Sequence, residues 1–231
     1  MSRWLVFALA AASGTLAAGA IAFLVLSWNA PVPDAWGVRG YAAFHALAYA
    51  TVGVVVAVRR RANPIGWLLL SVGLLTSIQA FTLAYAEFTI VGRHPEWPFG
   101  EVAAWLGSWI WTFVVGAILP LVLLRFPDGW PLSPRWRAVE WLAILNALIL
   151  ASAFALRPGP LQLATFVDNP YAIDSALIQW LASIALFGFV WNIAAGASVV
   201  VRFRRSSGIE RQQLKWLALS AVPLVVTGGA S

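Results

Sequence analysis

Apolar residues occur in seven long runs separated by short polar segments, near Trp4–Trp28, Val38–Val58, Ile65–Val91, Val102–Leu124, Trp136–Leu156, Ser175–Val201 and Leu214–Ala230. A helix rising about 1.5 Å per residue needs about 20 such residues to cross a hydrocarbon core about 30 Å thick. The pattern therefore predicts an all-α polytopic membrane protein with about seven transmembrane helices in a single domain over 1–231. The central polar segment, Arg125 to Arg137, reads RFPDGWPLSPRWR. Phe126-Pro127-Asp128-Gly129 has the residues of a tight turn. Ser133-Pro134 reads as a helix start, with a serine cap and a proline that has no N–H to waste.

Composition agrees with a membrane location. Of the 231 residues, 61% are hydrophobic and 10% charged, against about 25% charged in a soluble domain. There is no cysteine, hence no disulfide framework and no thiolate metal site. The net charge of +6 is explained by where the cations lie. Twelve of the fifteen Lys and Arg fall on one side: Arg3; Arg59, Arg60 and Arg61; Arg125, Arg135 and Arg137; and Arg202, Arg204, Arg205, Arg211 and Lys215. Arg39, Arg93 and Arg157 fall on the other, with Asp34, Glu96, Glu101, Asp168 and Asp174. Cytoplasmic loops retain Lys and Arg, so the N-terminus is expected in the cytoplasm and the protein in the plasma (inner) membrane. Nucleic acid is not needed to explain the charge.

The first run could be a signal peptide with small residues around Ala17–Ala20 as a cleavage site, but its length favours a retained helix. Its Ala10, Gly14 and Ala18 offer a close-packing face. On the basic side, Asn63-Pro64, Ser133-Pro134 and the capping-box pattern Ser207-Gly208-Ile209-Glu210 each precede Trp. Trp at headgroup level and Arg against anionic lipid make Arg59, Arg60, Arg61, Arg125, Asp128, Arg135, Arg137, Arg202, Arg204, Arg205, Glu210, Arg211 and Lys215 the loop and lipid-anchor residues. Pro120 and Pro223 are expected to kink their spans.

Polar residues inside the membrane are candidates for function. Counting from the helix ends places His45 level with Gln79 and Asn146 level with Asn192. Such pairs serve either as interhelical glue or as a buried ligand or switch site. Gly188, Asn192 and Gly196 share a face. Glu87 lies near the outer interface, where it could pair with Arg93 or face a small pocket. The outer segment Arg157–Asp174 has room for a site, with Leu161, Phe166 and Tyr171 either lining it or resting on the interface. No P-loop, HExxH, GxSxG or acidic metal cluster is present. No pair of His suits a haem, and Lys215 is too shallow for a buried Schiff base. The sequence predicts no catalytic residue, no metal and no cofactor.

The stretches RRRANPIGWLLLSVGLL (59–75), RFPDGWPLSPRWR (125–137), VDNP (167–170) and RFRRSSGIERQQLKWLALS (202–220) resemble a known group. It is the multi-span N-terminal membrane sensor region of bacterial sensor histidine kinases of the actinobacterial and Chloroflexota kind. Trp130 departs from that pattern, in which a basic residue commonly follows FPDG. The resemblance implies a sensory or signal-input module of a two-component system with no catalysis of its own. The phosphoacceptor helices and ATP-binding domain have no match, and the chain reads as cut off near Ser231. A homodimer, and a response regulator reached only through those kinase domains, are the protein partners implied. A stand-alone transporter or channel component is the alternative, resting on the two intramembrane polar levels.

Overall fold

The computed structural model describes residues 3–31 and 40–217. Most of the last apolar run, Leu214–Ala230 with Pro223, lies outside them, as do Asp34 and Arg39. Six helices among the described residues are long and apolar enough to cross a membrane: Arg3–Leu26, Tyr41–Arg59, Ile65–Val91, Gly100–Arg125, Trp136–Leu156 and Ala176–Arg205. A further helical stretch, 208–217, follows them. The only β feature among these residues is one isolated bridge, Pro160 to Asp168. The chain is an all-α, multi-pass membrane protein. Helices suit hydrocarbon because each satisfies its own backbone polar groups.

The third span is the pivot, packing against the first, second and fourth. The fourth packs on the third and fifth, and its last turns meet the sixth. Backbone touches backbone between the second and third spans. A Cβ on Gly66 would stand 2.7 Å from Ala57 Cα, one on Gly73 2.7 Å from Ala50 N, and one on Gly53 2.7 Å from Leu70 N. Ala43, Ala46, Ala50, Gly53 and Ala57 form the buried stripe of the second span. Small residues let membrane helices approach this closely, where dispersion replaces the missing hydrophobic drive.

The first span corrects one expectation. Its buried stripe is Val6, Ser13, Ala17 and Ala20, with Ala10 packed beside Val6. Gly14 faces open space and Ala18 is exposed. Aromatic bulk sets this rotation. Phe81 lies against Gly19, and Phe23 meets Phe81, Tyr85 and Phe88 at 5.2–5.7 Å between ring centroids.

Three spans depart from regular α-helix. The third ends in a π turn at Glu87–Val91. The fourth has a π turn at Val114–Ile118 just before Pro120. Pro120 has no N–H to give the carbonyl four residues back, so the kink expected there takes this form. The sixth breaks at Gly188-Phe189 between helices Ala176–Phe187 and Val190–Arg205. Between the fifth and sixth spans, Leu161, Ala164 and Val167 are buried against Ala86 and Ala104. Asn169 ends the fifth span there, donating through Nδ2 to the carbonyls of Ala155 and Arg157 at 3.0 and 2.9 Å.

Gly66→Ala should destabilise the protein by about 1–3 kcal/mol, since a Cβ must push the two backbones apart. A Cβ on Gly196 meets nothing within 4 Å, so Gly196→Ala should be neutral or mildly stabilising. Thermal unfolding in one detergent, with both variants side by side, checks the contrast.

Candidate functional site

Among the described residues, the densest polar bonding lies at the arginine-rich face, around the loop that follows the fourth span. Gly129 has φ 88°, a conformation open to glycine, and its N–H donates to the Arg125 carbonyl at 2.6 Å. A Cβ on Gly129 would stand 2.6 Å from Pro64 Cδ and 2.9 Å from Asn63 Oδ1. The loop is therefore seated on the loop between the second and third spans. Asn63 serves both. Its Oδ1 accepts from the Ile65 N–H at 3.0 Å, where the third span begins, and its Nδ2 donates to the Pro127 carbonyl at 2.8 Å.

Two arginines complete the arrangement. Arg125 donates through Nε and Nη2 to both oxygens of Glu140, at 2.6 and 3.0 Å. Glu140 lies in the fifth span and is buried. Arg202, near the end of the sixth span, is 7% exposed. Its Nη2 donates to the Trp130 and Leu124 carbonyls at 2.8 and 3.2 Å, and its Nη1 lies 3.5 Å from Asp128 Oδ2. The same Nη1 is 4.0 Å from Glu210 Oε1, in the helical stretch 208–217. Burying a guanidinium is costly unless its planar fork is met. The Leu124 carbonyl belongs to the last turn of its helix, where carbonyls lack intrahelical donors and negative dipole collects. Arg202 supplies both the donor and the charge.

These contacts correct several expectations. Arg125, Asp128, Arg202 and Glu210, expected as loop and lipid-anchor residues, bond within the protein. Arg59, Arg60, Arg61, Arg135, Arg137, Arg204, Arg205, Arg211 and Lys215 are exposed, so their charges remain available outside. Arg211 lies over the Phe203 ring at 4.8 Å. Ser133 makes no side-chain cap; the Trp136 N–H takes its backbone carbonyl instead, at 3.0 Å. Glu140 was not legible as a site residue. Its signal is the one carboxylate of the fifth run, one turn in, facing an arginine at the end of the run before it.

At mid-membrane, depth and direction part company. Ala57 faces Gly66 and Ala50 faces Gly73, a register that does put His45 level with Gln79. Neither side chain lies on that buried seam: both are half-buried, and His45 Nδ1 is 3.1 Å from the Tyr41 carbonyl of its own helix. Asn146 packs over Gly188, filling the space a Cβ would take. Asn192, one turn further on, has both amide atoms buried without a hydrogen-bond partner among the described residues. Neither expected pair is joined by a hydrogen bond.

On the opposite face, Glu87 is buried at the start of its π turn and does not pair with Arg93. Leu161 and Phe166 belong to the packed core under the loop, and Tyr171 meets Trp105 edge-on at 4.8 Å. Arg157 stacks over Phe154 at 4.8 Å and bonds Gln162 at 2.9 Å. Burial holds its pKa below the ordinary arginine value. Among the described residues no group of acidic or histidine side chains could hold a metal. Comparison with family models, curated proteins and solved structures returned no match.

Glu140→Ala should cost about 3 kcal/mol by stranding the Arg125 charge. That is the low end for a buried pair, because the Arg125 side chain keeps 31% exposure. Adding Arg125→Leu should recover much of the loss. A double-mutant cycle by denaturant unfolding reads the coupling.

Proposed function

We propose that this chain is the membrane-embedded signal-input module of a bacterial two-component sensor histidine kinase, with no catalysis of its own. The arginine-rich face lies in the cytoplasm and the membrane is the plasma membrane, in keeping with the charge asymmetry. The observation that carries the reading is a coincidence of two independent patterns. Stretches that resemble the sensor family supply many of the polar bonds at the ends of the spans. Asn63 comes from the first, Arg125, Asp128 and Trp130 from the second, Asn169 from the third, and Arg202 and Glu210 from the fourth.

The arrangement around Arg202 suits transmission. One guanidinium nitrogen faces a loop carboxylate at 3.5 Å and a carboxylate of the following helical stretch at 4.0 Å. At an effective dielectric of about 20 the two attractions differ by only about 0.6 kcal/mol, and solvent around Asp128 narrows the gap. A small displacement of the fourth span against the sixth changes which carboxylate Arg202 favours, and with it the seating of 208–217. The transporter alternative rests on the two mid-membrane polar levels, which hydrogen bonds do not connect.

The test uses membranes carrying the protein as its gene encodes it. ATP-dependent phosphorylation of a histidine, passed to a response regulator, is the expected activity. Asp128→Asn should change its rate by up to about fivefold, because it removes one exposed ion pair worth at most about 1 kcal/mol. An encoded product with no ATP-dependent histidine phosphorylation, alone or with co-purifying partners, overturns the reading.

A further inference from the structure

The loop between the third and fourth spans, on the face opposite the Arg202 network, carries an open pocket of about 390 Å³. That is the scale of a small-molecule site. Arg93, Trp97 and Glu101 line it together with Thr89 and Gly100. Its walls are built with some care. A Cβ on Gly100 would collide with Thr89 Oγ1, so the end of one span and the start of the next close up only around glycine. Trp97 is held edge-on to Phe23 and Phe88, at 5.9 and 5.6 Å. The Tyr85 hydroxyl donates to the Pro98 carbonyl at 2.6 Å, tying the loop to the third span. Arg93 and Phe99 both take left-handed backbone conformations, φ 59° and 67°, which non-glycine residues adopt at a cost.

The charges in this pocket are opposite and unmatched. Neighbouring His94 Nδ1 and Glu96 Oε1 lie within hydrogen-bond distance of one another, at 3.2 Å. Arg93 and Glu101 line the same cavity, yet neither has an ion pair or side-chain hydrogen bond among the described residues. A simple anion drawn to Arg93 is repelled by Glu101, and a simple cation meets the reverse. A molecule carrying both charges satisfies both. We propose that the pocket binds a small zwitterion bearing a carboxylate and an ammonium group, such as a free amino acid or a betaine. The carboxylate meets the Arg93 guanidinium, whose fork suits it. The ammonium meets Glu101 and the Trp97 ring, which attracts cations over its face. Both charged side chains are exposed, so affinity falls near a Kd of about 1 mM. The binding claim goes beyond the sensor reading and rests on it only for the use made of the bound molecule.

Binding to the full-length protein in nanodiscs is followed by calorimetry and by tryptophan fluorescence, with glycine, glycine betaine, acetate and tetramethylammonium as probes. Glycine or betaine should bind at least tenfold more tightly than acetate or tetramethylammonium. Arg93→Gln and Glu101→Gln should each weaken zwitterion binding at least fivefold at an unchanged melting temperature. Glu101→Gln should in addition strengthen acetate binding, a gain that a merely structural role for Glu101 does not produce. Zwitterions that bind no better than acetate, or a glycine affinity unmoved by both variants, overturn the proposal. Zwitterion binding in a protein with no phosphorylation activity overturns the sensor reading and leaves this one standing.

Discussion

A guanidinium withdrawn from water has to be met by acceptors, and Arg202 imposes that requirement on everything near it. Its acceptors come from the last turn of the fourth span, from the loop that follows, and from the helical stretch beyond the sixth span. Removing any of them leaves a partly unpaired buried charge, so the fourth and sixth spans cannot slide freely past one another. Asn63 and the Arg125–Glu140 pair extend the same constraint to the third and fifth spans. The helix ends, where backbone groups lack intrahelical partners, are thus where the third to sixth spans are tied to one another.

The halves of the bundle are held by different physics. The second and third spans close through glycine and alanine, with backbones in contact and almost nothing polar between them. Short-range dispersion maintains that seam, and it is indifferent to salt. Among the described residues, the fourth to sixth spans carry the Arg125–Glu140 and Arg202–Asp128 pairs, a π turn and a helix break. Ionic strength and charge bear on that second group, and it is the one continuous with 208–217.

The spans were legible in the sequence because bilayer thickness fixes how long an apolar run must be. The fifth, Trp136–Leu156, and the third, Ile65–Val91, coincide with the runs as read. Rotation about each helix axis was less legible. Counting residues gives depth, and His45 and Gln79 do share a depth, but the seam belongs to residues spaced three and four apart. Ala43, Ala46, Ala50, Gly53 and Ala57 are that spacing, and they exclude His45 from the seam. The arginines failed to separate for another reason. Charge asymmetry counts cations without asking what each one touches, so Arg202 and Arg204 look alike in sequence. Only a folded neighbourhood sends one inward to carbonyls and leaves the other exposed.

Arg202 grips the Trp130 and Leu124 residues by their main-chain oxygens, while the Trp130 ring itself stands 67% exposed. Every amino acid owns a carbonyl. Position 130 can therefore drift between tryptophan, a basic residue or something else without loosening the grip, as long as the loop keeps its path. A junction built on main-chain acceptors asks for a particular loop path rather than for particular side chains.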